Sequence, residues 1–223
     1  KMFRIPEPNE VMDDPEQVLA YAAADFMESN LLFLDLLEKI SSKNISGLAL
    51  DIGCGPAKIP ILLLKKYSKL KIHALDASRE MLNIAIDNAR EDQDIQNRLA
   101  FIHGMLPHQI LPSSEYKIFL SNSVLHHLSD PHHLWVLIKE ITKKGAKILV
   151  MDLNRPKSKK EAKCLVNLHA KNEANVLKED FFNSLCASYT IEEIKEQLDK
   201  AQLNGLKIEM VSERHWAVFG SII

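Results

Sequence analysis

Residues 48–60, LALDIGCGPAKIP, place two glycines one residue apart, directly after an apolar run that ends in the carboxylate Asp51. The chain contains only seven glycines, so two in one short stretch need a reason. Gly53 and Gly55 can adopt positive φ and let the backbone approach a ligand closely. A helix that starts after such a loop offers free N–H groups to a carboxylate or phosphate. The stretch therefore predicts a ligand-binding loop, with a plain tight turn as the alternative.

A second carboxylate, Asp76, ends the next apolar stretch, 25 residues after Asp51. At that place it can accept hydrogen bonds from two ribose hydroxyls, each worth about 1.5–3 kcal/mol for a charged acceptor. Asp51 beside the loop suits an amino group. A nicotinamide site expects a third glycine where the chain has Lys58, and the Gly-Lys-Ser/Thr of a P-loop is absent. The pattern favours a nucleoside without pyrophosphate, whereas a helix cap is the alternative role for Asp76.

Apolar and helical stretches alternate around these residues. Strands are predicted at 47–52, 71–76, 99–104, 116–122 and 146–153, and helices at 58–67, 78–90 and 131–142, the last with Asp130 as its N-cap. This alternation predicts a parallel sheet with helices on both faces. Ligands of such sheets bind at the carboxyl ends of the strands, where the strand order reverses.

The regions on either side of this core are helical in pattern. Residues 15–40 are predicted as a helix with a break near Ser29 and Asn30, and 153–189 as helical stretches without a strand. Thr190 and Glu193 form the pattern of a capping box, which predicts the start of another helix. Gly205 ends that helix, and residues 206–213 and 215–223 are predicted as an antiparallel strand pair.

Composition and charge exclude several classes of protein. The net charge of −2 does not mark a nucleic-acid binder, and no apolar run reaches the roughly 18 residues of a membrane span. Three widely spaced cysteines favour free thiols in a reducing compartment. The opening residues lack a signal-peptide pattern. A cytoplasmic location without nucleic-acid or membrane partners is expected, and the oligomeric state is not predicted.

His126 and His127 are the one histidine pair that suggests a metal site near the predicted ligand end. Adjacent positions on a helix point in different directions, so the two rings are expected to diverge. No metal is therefore predicted.

Five segments together resemble the class I S-adenosylmethionine-dependent methyltransferases. They are LALDIGCGPAKIP, IHALDASREML, FIHGM, SNSVLHHLSDP and GAKILVMDLNRP, in the order and spacing of that family from about residue 48 to 156. The resemblance implies an α/β fold: a Rossmann-like, doubly wound, seven-stranded, mostly parallel sheet with an antiparallel last strand. N-terminal helices and a helical insertion after strand five complete it. The implied single domain comprises a helical lid (1–44), a cofactor-binding core (45–152), the insertion (153–189) and a closing helix and strand pair (190–223).

The resemblance also implies S-adenosylmethionine as cofactor, S-adenosylhomocysteine as product and a small-molecule methyl acceptor. Many relatives carry Gly-Asp-Ala after strand three, but here Met105 follows Gly104, so a backbone N–H at Met105 is expected to serve the adenine. The residues that the resemblance assigns to the cofactor are Asp51, Gly53, Cys54, Gly55, Asp76, Ala77, Met81, Gly104, Met105, Ser121 and Asn122.

On the acceptor side, Asn122, Asp152, Arg155 and His215 are predicted to face one cavity with the transferable methyl group. His215 could act as a base and Arg155 could hold an acidic acceptor. A structural salt bridge is the alternative for Asp152 and Arg155. The predicted substrate-covering residues are Tyr21, Asp25 and Phe26.

Three other functions stay open from the sequence. One is a catalytically inactive member that binds the nucleoside and acts through a partner. Another is a methyltransferase for protein or RNA, which the absence of a basic surplus disfavours. The third is a nicotinamide oxidoreductase, which the missing third glycine disfavours.

Overall fold

The computed structural model describes residues 2–41 and 45–223. The boundary predicted at residue 44 between the lid and the core lies outside the described residues. The helices are α1 (Pro15–Ala23), α2 (Met27–Ile40), α3 (Lys58–Lys66), α4 (Arg79–Ala89), α5 (Gln93–Arg98), α6 (His132–Ile141), α7 (Lys159–His169), α8 (Asn175–Ala187) and α9 (Ile191–Lys200). The strands are β1 (Gly47–Ile52), β2 (Leu70–Asp76), β3 (Leu99–His103), β4 (Tyr116–Asn122), β5 (Thr142–Leu153), β6 (Lys207–Met210) and β7 (His215–Ser221).

The seven strands form one sheet in the order β3-β2-β1-β4-β5-β7-β6. The first five strands pair in parallel, and β7 runs antiparallel to both β5 and β6. The predicted fold class, including the antiparallel last strand, is confirmed. The strand order reverses between β1 and β4, so the connections that follow these two strands turn to opposite faces of the sheet and leave a crevice at the carboxyl ends.

Two hydrophobic layers cover the sheet because successive side chains of a strand point to opposite faces. Ala49 of β1 packs in the layer formed by α2, α3, α4 and α5, where Leu63 is fully buried. Leu50 packs in the other layer with α6 and α9, around the buried rings of Trp135 and Trp216. A smaller cluster joins α7 and α8 beyond β5. The helical region after β5 thus has a separate apolar contact.

Local capping accounts for several helix boundaries. Both hydrogen bonds of the predicted capping box are present, from Thr190 and Glu193 at the start of α9. The break in the first helical region lies at residues 24–26 and not at Ser29 and Asn30, because Ala24 is extended and Asp25 accepts a hydrogen bond from the Met27 N–H.

Two further boundaries differ from the sequence prediction. Helix α6 begins at His132 and not at Pro131. The side chain of Asp130 accepts a hydrogen bond from the His132 N–H. Helix α5 was not predicted, because its sequence QDIQNR has a single apolar residue and no periodicity. Its start depends on the side chain of Asp92, which accepts two backbone hydrogen bonds.

Within the described part of the chain, every helix is too short or too polar to cross a membrane.

Candidate active site

A cavity of about 300 Å³ lies at the carboxyl ends of the strands, where the strand order reverses. This size is at the lower end of the range of small-molecule sites. Most of the residues predicted to contact a cofactor line it: Gly53, Gly55, Asp76, Ala77, Met81, Gly104, Met105 and Asn122. Asp51 and Cys54 line a smaller adjoining pocket that shares Gly53, Gly55 and Asn122 with the cavity.

Ser121 was also predicted to contact the cofactor, but it lines neither space. It is 1% exposed, and its Oγ has no hydrogen-bond partner among the described residues. The alternation of side chains along β4 explains the difference, since Asn122 reaches the cavity and the preceding residue points to the other face.

The glycine loop has the backbone that its sequence predicts. Gly53 and Gly55 have φ values of 72° and 52°, in the left-handed region. A side chain at Gly53 would overlap Val124, since an added Cβ would lie 2.1 Å from its Cγ2. The N–H groups of Gly53 and Cys54 both donate to the Leu75 carbonyl, which ties the loop to the end of β2.

Asp76 joins the loop to the start of α4. Its Oδ2 accepts the Gly55 N–H at 2.7 Å, and its Oδ1 accepts the Ser78 N–H at 2.8 Å. A carboxylate has about four acceptor positions, so two remain for ligand hydroxyls. Asp76 also lines the cavity. The cap of α4 is Ser78, whose Oγ accepts the Met81 N–H, so Asp76 is not the helix cap that the sequence offered as its alternative role.

The electrostatics of the cavity favour a cation. Burial, and then the charge of Asp76, raises the pKa of Asp51 well above its usual range. Burial, followed by the charges of Asp76 and Asp152, raises the pKa of Tyr21 to about 12. The pKa of the Cys54 thiol is raised by burial, then by Asp76 and Asp51. Each shift is due first to burial and then to a nearby carboxylate, and a cation bound close to these groups would favour their charged forms.

Two residues that line the cavity carry buried polar atoms without hydrogen-bond partners in the described part of the chain. Asn122 Oδ1 and Asp180 Oδ2 are buried and have no hydrogen-bond partner in the described chain, and both residues line the cavity. Buried acceptors without a donor are uncommon, and each costs about 1–3 kcal/mol. A ligand with donor groups at these two places would satisfy them.

Two of the four residues predicted on the acceptor side line the cavity, and their role toward an acceptor stays a prediction. Asn122 and His215 line the cavity, whereas Asp152 and Arg155 do not. The guanidinium of Arg155 is buried and donates to the carbonyls of Met2 and Ser188 and to the carboxylate of Glu193. The expectation that Arg155 holds an acceptor is wrong, because all three contacts tie β5 to α9 and to the N-terminal segment.

Asp152 supports His126 from behind the cavity. Its Oδ1 lies 2.6 Å from His126 Nδ1, and its Oδ2 accepts the His126 N–H at 3.0 Å. Burial alone would raise the pKa of Asp152, but the charge and hydrogen bond of His126 bring it below the usual value. Asp152 is 1% exposed, so it cannot contact a ligand directly.

The expectation that His126 and His127 diverge is wrong. Both lie in a single 3₁₀ turn, Leu125–His127, and their ring centroids are 4.1 Å apart. The backbone becomes extended directly after His127, so the regular helical separation does not apply. Both rings approach Glu7 of the N-terminal segment.

His215, which the sequence suggested as a base, is a weaker base than an ordinary histidine, and its role toward an acceptor stays a prediction. Burial, and then the charge of Arg214, lowers its pKa to about 4. Its Nδ1 lies 2.9 Å from Ser212 Oγ, which already accepts two backbone N–H groups and so donates its own proton to this nitrogen. The remaining ring nitrogen then carries a hydrogen. His215 is suited to donate a hydrogen bond within the cavity.

The low pKa of His215 predicts a pH-dependent stability. Between about pH 4 and 6.5 the unfolded chain binds a proton at this position and the folded chain does not, so the free energy of unfolding should rise with pH. The rise is on the order of 3 kcal/mol. Urea unfolding of the wild type and of His215→Gln across this range measures it. The wild type should show the steeper rise, and His108→Gln, at an exposed position, should behave like the wild type. Equal slopes for wild type and His215→Gln would contradict the assignment.

The N-terminal segment and α8 form a roof over the cavity. We define the roof as residues 4–17 together with α8. Three hydrogen bonds join its two parts: Gln17 donates to Asp180 at 2.8 Å, Ser184 donates to Glu7 at 2.7 Å, and Arg4 donates to the Ala187 carbonyl at 2.6 Å. The predicted covering residues Tyr21, Asp25 and Phe26 also line the cavity, and the rings of Tyr21 and Phe26 are 4.8 Å apart. Their role in covering a substrate stays a prediction.

Several cavity residues were not predicted. They are Glu10, Val11 and Met12 of the roof, together with Ser78, Val124, His169, Leu177 and Phe181. The roof segment before Pro15 has no periodicity and no motif, so no local signal marked it. Ser78 was available as a helix cap, and its Oγ contacts the roof at Asp13.

Comparisons with known proteins agree with this geometry. The family model described as a methyltransferase domain matches residues 46–206. An uncharacterized methyltransferase of Schizosaccharomyces pombe is 29% identical over 100 residues, which cover 43% of this chain and 36% of that protein. The chain's matches span somewhat more than a third of the length of its curated relatives.

Solved structures resemble the fold over most of the chain. A SAM-dependent methyltransferase from Aquifex aeolicus has a TM-score of 0.68 and 17% identity, with 95% of this chain and 100% of that chain covered. A phosphoethanolamine N-methyltransferase 2 of Haemonchus contortus, in complex with phosphomonomethylethanolamine and S-adenosylhomocysteine, has a TM-score of 0.63 and 18% identity. That match covers 86% of this chain and 42% of the other.

Proposed function

From the premise that the chain belongs to the class I methyltransferase domain family, we propose that it transfers the methyl group of S-adenosylmethionine to a small-molecule acceptor. The observation that carries the proposal is one cavity in which the glycine loop, Asp51 and Asp76 meet. Asp76 retains two acceptor positions for the ribose hydroxyls. The carboxyl groups of Asp51 and Asp76 suit the amino group and the ribose hydroxyls of this cofactor.

S-adenosylmethionine supplies a methyl group on a cationic sulfur, and the leaving group is neutral. The protein's contribution is therefore positioning and exclusion of water, and positioning alone can supply roughly 7–11 kcal/mol. Asn122, at the end of β4, offers an unpaired amide oxygen within the cavity, and His215 offers a ring N–H. The roof closes the side of the cavity that faces away from the sheet.

A small acceptor is supported by the enclosure of the cavity. Residues of the roof and the sheet line its opposite sides, so the space left beside a nucleoside is limited. The crystallised relative from Haemonchus contortus holds a small phosphorylated amine, which is the same class of acceptor. We also propose a cytoplasmic location, because all three cysteines are free thiols.

Ligand binding tests the proposal directly. S-adenosylmethionine and S-adenosylhomocysteine should each raise the melting temperature and give a measurable heat of binding, whereas NAD should do neither. At a ligand concentration of 100 times Kd the expected stabilisation is about 2.7 kcal/mol. Binding of NAD, with no heat from either sulfur-containing nucleoside, contradicts the proposal.

Radiolabelled cofactor can then show whether the methyl acceptor is a small molecule or a macromolecule. Radiolabelled cofactor is incubated with the protein and with either a low-mass metabolite fraction or a macromolecular fraction of a cell extract. Label is expected in the low-mass fraction. Transfer of label only to protein or RNA would refute the small-molecule acceptor while leaving the cofactor assignment intact.

A further inference from the structure

Three side chains capable of binding a metal ion meet at the wall of the cavity. They are Glu7, His126 and His127, and one ligand atom from each lies within 4.8 Å of the others. Glu7 comes from the roof and the histidines from the 3₁₀ turn after β4, so distant segments of the chain meet at this point. Both histidines line the cavity.

The orientation of His126 is fixed by a carboxylate on the far side of its ring. Asp152 holds Nδ1 at 2.6 Å, which leaves Nε2 directed to Glu7, 3.9 Å from its Oε1. Histidines that bind metal ions usually donate their other nitrogen to a carboxylate or carbonyl in this way, which fixes the tautomer and makes the free nitrogen more basic.

The second histidine is paired with Glu7. His127 Nδ1 and Glu7 Oε2 form an ion-pair contact at 2.5 Å, although its angles do not meet the geometry of a hydrogen bond. Ligand atoms that share one ion lie about 3.3 Å apart, given metal–ligand bonds of about 2.0–2.1 Å. The present separations, 2.5 Å and 3.9 Å to Glu7 and all within 4.8 Å, lie on both sides of that value.

We propose that Glu7, His126 and His127 bind a divalent first-row transition metal ion, such as Zn²⁺, with Asp152 orienting His126. Two imidazole nitrogens and one carboxylate oxygen form a donor set typical of catalytic zinc and non-haem iron sites. Mg²⁺ and Ca²⁺ prefer oxygen ligands, so the two nitrogens select against them.

Such an ion keeps open coordination positions, and here they face the cavity. An oxygen of an acceptor molecule can occupy one of them, which would orient the acceptor and lower the pKa of its hydroxyl. Asp180 also lines the cavity and has an unpaired Oδ2. This role in catalysis rests on the proposed methyl transfer, whereas metal binding itself does not.

The test measures metal binding without reference to activity. Tag-free protein is treated with a chelator, dialysed, and titrated by calorimetry with Zn²⁺ and separately with Mg²⁺. We expect one Zn²⁺ per chain, an increase in melting temperature, and no comparable heat from Mg²⁺. Co²⁺ should give visible absorption bands of a nitrogen- and oxygen-coordinated ion.

Variants separate this site from surface histidines. His127→Gln and Glu7→Gln should each weaken Zn²⁺ binding tenfold or more. Asp152→Asn should weaken it by about 10–100-fold, the usual effect of losing the group that orients a ligand. His133→Gln is the matched control: His133 is half-exposed beside Asp130, outside the cluster, and its loss should change nothing.

Each variant is first checked for folding by its circular-dichroism spectrum and its melting temperature in the absence of ligands. Zn²⁺ affinity that is the same in His127→Gln, Glu7→Gln and wild type would overturn the proposal, as would a wild type that binds no Zn²⁺ at micromolar concentration. If the wild type binds S-adenosylhomocysteine but no Zn²⁺, the metal site is refuted and the proposed function stands. If the wild type binds Zn²⁺ but neither S-adenosylmethionine nor S-adenosylhomocysteine, the metal site stands and the proposed function is refuted.

Discussion

Replacing Asp76 by alanine is expected to raise the Kd for S-adenosylhomocysteine by at least about 10- to 140-fold, the effect of losing one charge-assisted hydrogen bond worth about 1.5–3 kcal/mol. The carboxylate contributes in two ways. It accepts the N–H groups of Gly55 and Ser78, which holds the loop in place, and it keeps two acceptor positions for the ligand. Isothermal calorimetry at fixed pH and ionic strength measures the change.

A matched control for Asp76 is available in Asp92. Asp92 also accepts two backbone hydrogen bonds at the start of a helix, but it lies outside the cavity lining. Asp92→Ala should lower stability by about 0.5–2 kcal/mol, as the loss of a helix cap does, and leave nucleoside affinity unchanged. If Asp76→Ala keeps its affinity, or if both variants lose affinity equally, then Asp76 only holds the loop and does not bind the nucleoside.

The second large effect is expected at Gly53. Gly53→Ala should lower the free energy of unfolding by about 2–5 kcal/mol, from about 1–2 kcal/mol for a left-handed backbone and about 1–3 kcal/mol for overpacking. The overlap is severe because the new Cβ would lie 2.1 Å from Val124 Cγ2 and 3.3 Å from its Cβ. The loop cannot easily move away, since the Gly53 N–H donates to the Leu75 carbonyl at 2.7 Å. Urea unfolding measures the loss of stability, and nucleoside titration measures the accompanying change in affinity.

Gly145→Ala is a control that measures the cost of a left-handed backbone without steric overlap. Gly145 has φ of 86°, and a Cβ added there meets nothing within 4 Å. Gly145→Ala should therefore lose only the backbone part, about 1–2 kcal/mol. Val124→Ala should be less destabilising when Gly53 is already alanine than in the wild type, because the two positions compete for the same space. Equal losses for Gly53→Ala and Gly145→Ala would show that Val124 moves aside freely.

The sequence predicts those parts of the fold that depend on local patterns. Asp51 and Asp76 each end an apolar strand, and Thr190 and Glu193 form a capping box, so strand ends and one helix start were correct. Helix α5 has no such pattern, and its start depends on one side-chain cap at Asp92. The length of β5, which begins at Thr142, is set by pairing with β4 and β7 and not by its own polar residues.

Local sequence likewise predicts some residues of the candidate site and not others. The glycine loop and Asp76 are neighbours along a strand–loop–helix unit, so their proximity follows from the topology. Arg155 could not be placed, because its partner Glu193 and the Ser188 carbonyl are more than 30 residues away. The meeting of Glu7 with His126 and His127 likewise depends on a roof whose sequence has no periodic signal. Tertiary contacts of this kind are not encoded in local spacing.

The roof implies an order of assembly for the molecule. Its hydrogen bonds join residues 163 positions apart at Gln17 and Asp180, and 177 apart at Glu7 and Ser184. Contacts between such distant residues form slowly, because closing a long stretch of chain loses entropy before any contact compensates for it. The floor of the cavity lies within residues 51–122 and depends on much shorter separations. The floor is therefore expected to form first, and the roof can open and close again while the sheet beneath it stays folded.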